Sequence, residues 1–382
     1  MKARRPKRRS IQQRLLAAHR ERLQKHGDVL GVGIGAAYSE AKNRITRTGR
    51  RGRPIHWTNL ALKVLVREKR QDIDDSERIP RHVELRVGRR GGEKLYKFRV
   101  DVVTLGSARD APGRVRLQSG VDATWPKTGT PRPGCRFLFG LPLPGSRPED
   151  LPEAFEEFEW EIGTVGCVAE RDGRAYVISA GHVVANIYQT DPHFPTEQGD
   201  GFKIAFDTAK PVLCSSDTHT RIVPDSPLTA DGMTVDAVAI LLPIQDFPLK
   251  GRLPDWVVPD SSDLQWFIGR EGYVLVERDG EFHKVRGEVE AIWLPRDETF
   301  GQVTVTLPQT VTLRFYGSDT TEAGDSGAPV LALRGDKLNL LGFHFFEGDR
   351  RADVPDIRTF STGTAAYVAL RHVGAELISG AF

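Results

Sequence analysis

Residues 324–329 read Gly-Asp-Ser-Gly-Ala-Pro, and the interpretation of the whole chain starts from this stretch. A serine lies between two glycines, and the apolar run 330–333 follows. Small residues let the backbone turn tightly and let a substrate carbonyl come close. If Ser326 is a nucleophile, the amides of Gly324 and Ser326 can face the oxyanion that its attack creates. A serine hydroxyl is a weak nucleophile near neutral pH, so this chemistry needs a base and an acid that orients the base.

Two stretches upstream supply these groups. Residues 176–184, Tyr-Val-Ile-Ser-Ala-Gly-His-Val-Val, predict an apolar strand that delivers His182 to a turn. Residues 235–242, Val-Asp-Ala-Val-Ala-Ile-Leu-Leu, put Asp236 at the head of another apolar strand. An imidazole can take a proton from a serine, and a carboxylate can orient the imidazole. The order His, Asp, Ser therefore predicts a base, an acid and a nucleophile.

The motifs Ser-Ala-Gly-His, Asp-Ala-Val-Ala and Gly-Asp-Ser-Gly, in this order, resemble those of the chymotrypsin-type (trypsin-like) serine proteases. The resemblance is to an intracellular, disulfide-free bacterial type with an extra N-terminal domain. It implies an all-β double six-stranded barrel, preceded by a small α+β N-terminal domain, with the active site between the barrels. It also implies that Ser326 attacks the scissile carbonyl, His182 takes its proton and Asp236 holds the imidazole.

Each of these three residues also has an ordinary structural interpretation. Asp236 could cap a turn, His182 could be a core histidine with satisfied nitrogens, and Ser326 could be a turn serine. The structural interpretation requires three independent coincidences, whereas a single catalytic triad accounts for all three residues. We therefore predict the triad. The alternative candidates for the acid are Asp207, Asp217 and Asp231.

The resemblance places the pocket for the residue that precedes the cut between the segment before Ser326 and the strand 341–346. Thr320 stands where trypsin carries an acid, so a preference for Lys or Arg is not supported. Thr321 and His344 resemble the pocket residues of glutamyl-specific bacterial enzymes and of viral cysteine relatives that prefer glutamine. A hydroxyl and an imidazole can both hydrogen-bond to a carboxylate or a carboxamide. We therefore predict that Thr320, Thr321 and His344 bind substrate, with Glu or Gln before the cut.

Other residues of this strand weigh against an acidic substrate. Phe345, Phe346 and Glu347 differ from the small glycine-rich wall usual there, and they could narrow the pocket or repel an acidic side chain. His344 could equally be a structural histidine, because either role satisfies its ring nitrogens.

The length of 382 residues predicts more than one domain. We divide the chain into a basic arm and helix (1–28), an α+β module (29–112), a Pro/Gly-rich linker (113–134) and a trypsin-like protease domain (135–382). In the last part, many short strands separated by turns predict an all-β barrel or sandwich.

The N-terminal part combines charge with regular patterns. The arm 2–9 carries six Lys and Arg residues against a net charge of +3 for the chain, so the remainder is mildly acidic. A helical pattern covers about 10–26. Alternating apolar residues predict strands at 60–66, 82–87 and 96–102, each with one face on a core and the other in water.

Residues 29–36, Val-Leu-Gly-Val-Gly-Ile-Gly-Ala, formally match a dinucleotide-binding fingerprint. Their context argues against it, because a helix precedes the stretch and a basic run replaces the acidic residue expected about 20 positions later. We interpret the stretch as a glycine-rich strand and predict no cofactor. Three widely spaced cysteines predict free thiols, with neither a disulfide framework nor a metal site.

The sequence also bears on location and partners. No segment approaches the ~20 apolar residues of a membrane span, and no apolar core follows the basic tip, so we predict a cytoplasmic protein without a membrane partner. The expected partners are a protein or peptide substrate and a regulatory partner on the N-terminal module. No aromatic residue interleaves the charges of the arm, so nucleic acid is not an expected partner. In secreted members of the family that the chain resembles, a freed N-terminus pairs with the aspartate before the serine. Because no Ile-Val-Gly-Gly cleavage site precedes the first barrel here, we expect Asp325 to have another partner.

The predicted function is that of a serine endopeptidase, regulated inside the cell and cleaving a specific protein partner. The main alternative is a catalytically inactive protease fold used as a binding or scaffold protein. An esterase with the same triad would carry a Gly-x-Ser-x-Gly elbow, which is absent around Ser326. Nucleic-acid binding through residues 1–9 could coexist with proteolysis.

Overall fold

The structure is a computed structural model of the chain. It describes residues 11–39, 44–45, 60–66, 78–89, 92–104, 108–109, 114–115, 131–142, 158–185, 187, 202–206, 212–214, 222–223, 226–242, 252–300, 303–315, 320–350, 358–378 and 380–381. Strands dominate and helices are few, which confirms the predicted all-β fold class with a small N-terminal helix and strands.

The elements fall into three consecutive groups. The N-terminal group comprises α1 (Ile11–Gln24), β1 (Val29–Ala36), β2 (Tyr38–Ser39), β3 (Arg44–Ile45), β4 (Leu60–Val66), β5 (His82–Arg89), β6 (Gly92–Thr104) and β7 (Ala108–Arg109). The middle group comprises β8 (Arg114–Val115), β9 (Arg136–Pro142), β10 (Phe158–Thr164), β11 (Cys167–Arg171), β12 (Arg174–Ser179), β13 (Phe202–Ala205), β14 (Val212–Cys214), β15 (Ile222–Val223) and β16 (Val238–Leu241). The C-terminal group comprises β17 (Arg252–Leu253), α2 (Ser261–Leu264), β18 (Glu271–Arg278), β19 (Glu281–Trp293), β20 (Arg296–Phe300), β21 (Val303–Leu307), β22 (Thr310–Phe315), β23 (Pro329–Arg334), β24 (Lys337–Arg350), β25 (Arg358–Ala365), α3 (Ala366–Val373), β26 (Glu376–Leu377) and β27 (Gly380–Ala381).

Six strands of the C-terminal group close into a barrel. Their order is β18-β23-β24-β25-β22-β19, and β18 also pairs with β19, so the sheet returns on itself. Alternate residues point inward, and Val274, Val289 and Leu313 among them are fully buried. Closure pairs β18 with β19, the strands at the two ends of this order, so their main-chain amide and carbonyl groups hydrogen-bond to each other.

Two five-stranded sheets form the middle group. Their orders are β14-β13-β9-β10-β8 and β15-β16-β12-β11-β26, the last strand coming from the C-terminal group. They share an apolar core that includes Phe137, Val177 and Ile240. Gly140 of β9 lies opposite Trp160 of β10, and a Cβ atom on Gly140 would lie 2.7 Å from the indole ring. The glycine therefore makes room for the largest fully buried side chain among the described residues.

The N-terminal strands continue the sheet of the closed barrel. β1 pairs antiparallel with β19, with Gly33 opposite Trp293, and β4, β6 and β5 follow beyond β1. Leu15 and Leu23 of α1 are buried in the same apolar cluster as Val274 inside the barrel. Main-chain pairing and apolar core thus both run from the N-terminal strands into the barrel. The division of the chain at residues 112 and 135 stays a prediction, and the basic arm 1–9 lies outside the described residues.

Strand β4 departs from the predicted pattern of one buried and one solvated face. All seven of its residues are buried, so that expectation is wrong for this strand. Lys63 lies on the face expected in water and is 2% exposed, with its Nζ donating to Oδ2 of Asp101 at 2.9 Å. Arg99 contacts the other carboxylate oxygen of Asp101 at 2.6 Å. A buried ammonium is tolerated only with such a partner.

Among the described residues, no helix has both the length and the apolar character needed to cross a membrane.

The buried pair Lys63–Asp101 predicts a measurable effect on stability. Asp101→Ala leaves the Lys63 ammonium buried without its carboxylate, so the free energy of unfolding should fall by about 3–5 kcal/mol in urea titrations. As a control, Glu84→Ala removes the exposed pair of Glu84 with Lys97 (3.9 Å) and should change the free energy by at most about 1 kcal/mol. Equal unfolding midpoints for Asp101→Ala and the wild type would contradict this account.

Candidate active site

His182 and Asp236 come from the same end of two neighbouring strands. β12 pairs antiparallel with β16, with Ser179 opposite Val238. A 3-10 turn, Gly181–Val183, follows β12 and carries His182, while Asp236 lies just before β16. Because the strands are antiparallel, the end of one and the start of the other meet at one edge of the sheet.

The two side chains are joined by hydrogen bonds that use both carboxylate oxygens. Nδ1 of His182 lies 2.7 Å from Oδ2 of Asp236, and the His182 amide donates to Oδ1 at 3.0 Å. Asp236 is fully buried and His182 is 8% exposed. An ionised Asp236 accepts from Nδ1–H, which leaves Nε2 of the neutral ring as the nitrogen that can take a proton. The arrangement therefore sets the tautomer that a general base needs.

The Ser326 loop is held against the end of β12. The Thr164 amide donates to the Ser326 carbonyl at 2.8 Å, and Thr164 Oγ1 donates to the Gly324 carbonyl at 2.7 Å. Gly327 has φ +94°, and a Cβ atom there would lie 2.2 Å from Oγ of Ser179. Only glycine fits so close an approach with this backbone conformation. The contacts bring Ser326 beside the segment that leads into His182.

Two amides of this loop remain available to a ligand. The amides of Asp325, Gly327 and Ala328 all donate to carbonyl groups. Those of Gly324 and Ser326, in contrast, donate to no group of the described residues. Gly324 has φ +91°, a conformation that favours glycine. The two amides flanking Asp325 can therefore serve as donors to an oxyanion.

Asp325 is fully buried and is paired with two arginines. Nη2 of Arg136 contacts Oδ1 at 3.0 Å, and Nη2 of Arg278 contacts Oδ2 at 3.0 Å. The Glu322 amide donates to Oδ2 at 2.9 Å, and the Glu322 carboxylate contacts Arg136 at 2.6 Å. Burial opposes the charge of Arg136, yet Asp325 and Glu322 together raise its pKa above the ordinary value. The expectation that Asp325 has an internal partner is confirmed.

His344 is buried close to His182 and Asp236. It is 3% exposed, and its Nδ1 lies 2.7 Å from Oγ of Ser361. Burial and then the charge of His182 lower the pKa of His344 to about 3, while Asp236 acts in the opposite direction. The ring is therefore neutral near pH 7, and it can hydrogen-bond a ligand without adding a positive charge.

The other predicted pocket residues lie in the segment before Ser326. Thr321 is 3% exposed, and the carbonyl of Thr320 accepts from Nη2 of Arg278 at 2.7 Å. Phe345 and Phe346 are buried and pack against each other in the apolar core of the middle group. Their rings therefore belong to the core.

Sequence reasoning did not find Arg136, Arg278 or Ser361. An arginine within the apolar run 135–139 is a signal of a buried ion pair, and Arg136 could have been found in this way. Arg278 and Ser361 carry no comparable local signal. Arg278 reaches Asp325 through the pairing of β18 with β23, which lie far apart in sequence, and Ser361 reaches His344 only through the register of β24 with β25.

Neither a protein-family model nor a curated protein matches the sequence. Solved structures with a similar fold include a glutamic-acid-specific serine protease described as using a novel histidine triad in substrate binding (13% identity, TM-score 0.35, covering 57% of this chain and 94% of that chain). They also include protease A of Thermobifida fusca (13%, TM-score 0.32, 57% and 92%) and an α-lytic protease homologue (18%, TM-score 0.35, 57% and 93%). Identities and TM-scores this low assign no family, activity or substrate to the chain.

The pairing of Asp325 predicts that Arg136 positions the Ser326 loop. Arg136→Met keeps an apolar stem but removes the charge, so the Gly324 amide should lose its orientation. We expect a fluorophosphonate to label Ser326 at least about tenfold more slowly, since misplaced oxyanion donors slow attack by the serine.

Two further variants test whether the charge of Arg136 is the cause. Arg136→Lys should restore part of the labelling rate, and Arg334→Met, which removes an exposed partner of Asp263, should label like the wild type. Thermal unfolding of each variant checks that the fold persists. Wild-type labelling by folded Arg136→Met would show that Arg136 does not position the loop.

The lowered pKa of His344 predicts a pH-dependent stability. The folded-state pKa of about 3 lies below the ordinary 6.5, so the neutral ring stabilises the fold fully above pH 6.5. This contribution is lost as the pH falls from about 6.5 toward 3, at up to about 1.4 kcal/mol per pH unit. His344→Gln should therefore flatten the curve of unfolding free energy against pH in this window. His283→Gln removes an exposed imidazole and serves as the control, and an equally steep curve for His344→Gln would contradict the assignment.

Proposed function

We propose that the protein is a serine endopeptidase that hydrolyses peptide bonds with His182, Asp236 and Ser326. The observation that carries this proposal is the doubly hydrogen-bonded pair of His182 and fully buried Asp236. A core histidine needs no carboxylate that binds both its ring and its amide, whereas a general base needs this control of its tautomer. The adjacent loop with two available amides adds the oxyanion donors.

The proposed reaction follows from these groups. Ser326 Oγ attacks the scissile carbonyl while Nε2 of His182 takes its proton, and the amides of Gly324 and Ser326 stabilise the tetrahedral oxyanion. Asp236 stabilises the imidazolium that forms. The imidazolium then protonates the leaving amine, and water releases the acyl group from Ser326 by the same route in reverse. No metal or cofactor is needed for these steps.

We propose Glu or Gln as the residue that precedes the cut. A neutral His344 and the Thr321 hydroxyl can offer hydrogen bonds to a carboxylate or a carboxamide. The hydrogen bond of Ser361 to Nδ1 supports an oriented ring with Nε2 toward a ligand. Because the ring is neutral, glutamine should be accepted nearly as well as glutamate, and a cationic side chain gains no partner from it.

We further propose that the enzyme acts in the cytoplasm on a specific protein partner and is regulated through residues 29–112. The support for regulation is the shared sheet, because a partner bound to β4, β6 or β5 would act on strands hydrogen-bonded to the barrel through β1 and β19.

A fluorophosphonate probe and a peptide library test this function. The wild type should be labelled, Ser326→Ala should not, and cleavage should follow Glu and Gln in preference to Lys and Arg. Ser262→Ala serves as the matched control, since it also removes a serine hydroxyl, one that binds Asp260 outside the candidate site, and it should be labelled like the wild type. If the wild type is folded but neither labelled nor able to cleave any library member, the protease-fold binding protein is the better account.

A further inference from the structure

The two edges of β24 have different neighbours along its length. β23 pairs with residues 337–343, and β25 pairs with residues 342–350 on the opposite edge. The Ser326 loop, which leads into the start of β23, continues this pairing. The Gly327 amide donates to the His344 carbonyl at 2.7 Å, and the His344 amide donates to the Ala328 carbonyl at 2.9 Å. Beyond His344 this edge of β24 extends away from Ser326.

A short strand from the N-terminal group occupies that extension. β7 pairs antiparallel with β24, with Arg109 opposite Glu347 and Ala108 opposite Gly348. β25 holds the other edge at the same two residues. A strand has only two edges, so β7 lies on the edge that the Ser326 loop shares.

The direction of β7 matches that of a chain entering the cleft. Because the pairing is antiparallel, the step from Ala108 to Arg109 runs from Gly348 to Glu347, toward His344. Glu347 lies three positions beyond His344 along β24, which is about 10 Å at ~3.3 Å per residue. β7 therefore lies one short step from the Ser326 loop and runs toward it.

An extended peptide binds to a protein most simply by adding a strand to a sheet edge. A substrate whose scissile carbonyl meets Ser326 and whose preceding side chain meets His344 would need the main-chain groups of β24 just beyond His344. Those groups are the ones that β7 uses. A peptide substrate and β7 should therefore compete for this edge.

We propose that Ala108–Arg109 is an intramolecular occupant of the substrate-binding edge of β24, so that the chain inhibits itself. This inference rests on the proposed peptidase function. Only three residues separate β7 from β6, and β6 is held in the sheet by its pairing with β4. This short connection keeps the local concentration of β7 near β24 high. Two paired residues make few hydrogen bonds, so a substrate can displace the strand, and the result is weakened substrate binding rather than complete closure.

Substituting proline tests the pairing directly, because proline lacks the amide hydrogen. Ala108→Pro/Arg109→Pro is compared with Ala108→Ser/Arg109→Lys, which changes the side chains but keeps both amides. Both pairs of substitutions are made in a Ser326→Ala background, so that binding is measured without cleavage. The probe is a fluorescein-labelled octapeptide with a central glutamate, and its affinity is read by anisotropy.

The proline variant should bind the octapeptide about five- to tenfold more tightly than the Ser326→Ala parent, and the Ser/Lys variant should bind like the parent. Hydrogen exchange should rise at the amides of 345–350 in the proline variant alone, which also shows that the rest of the sheet is intact. Equal affinities for all three proteins, or no binding to any of them, would overturn the inference.

Failure of the proposed function is recognised separately. For this purpose the proline substitutions are also made in the chain that keeps Ser326. A small fluorophosphonate does not need the edge of β24, so Ser326 should be labelled at similar rates with and without these substitutions. Labelling combined with unchanged octapeptide affinity overturns the self-inhibition alone. Absence of labelling combined with increased affinity overturns the peptidase and leaves β7 as the occupant of a peptide-binding edge.

Discussion

A buried carboxylate held between two arginines is the constraint on which the geometry around Ser326 depends. Asp325 is flanked by Gly324 and Ser326, the two residues whose amides are available to an oxyanion. Its two oxygens bind Arg136 of β9 and Arg278 of β18, so one side chain ties a strand of the middle group to a strand of the closed barrel. Transferring the carboxylate of Asp325 from water to the protein interior costs free energy. This cost is offset only while both guanidinium groups remain paired with the carboxylate. The loop conformation is thereby coupled to the packing of the two parts of the fold.

The sequence was most informative where chemistry and local pattern coincide. His182 and Asp236 each lie at the end of an apolar strand, and antiparallel pairing of β12 and β16 brings those ends together. Apolar alternation likewise predicted β4 and the strands beyond β1. It did not predict that β4 is buried on both faces, because the partner of Lys63, Asp101, lies on a parallel strand far along the chain.

The remaining parts of the site depend on the register between paired strands. Ser361 meets His344 because β24 and β25 pair as a hairpin with a bulge near His344, and no local pattern gives the position of that bulge. The glycine-rich stretch 29–36 was interpreted as a strand rather than a nucleotide loop, and it is β1. Its role in joining the N-terminal strands to the barrel depends on pairing with β19, which no sequence pattern indicates.

The pairing of β1 with β19 also constrains how the protein is made. During synthesis β1 leaves the ribosome long before β19. The edge of β1 that pairs with β19 in the folded protein therefore has no partner strand until residues 281–293 are made. Long-range strand pairing is slow to form, and unpaired edges invite association with other chains. Until β19 is made, the nascent N-terminal strands therefore expose an unpaired edge that a chaperone could protect during translation.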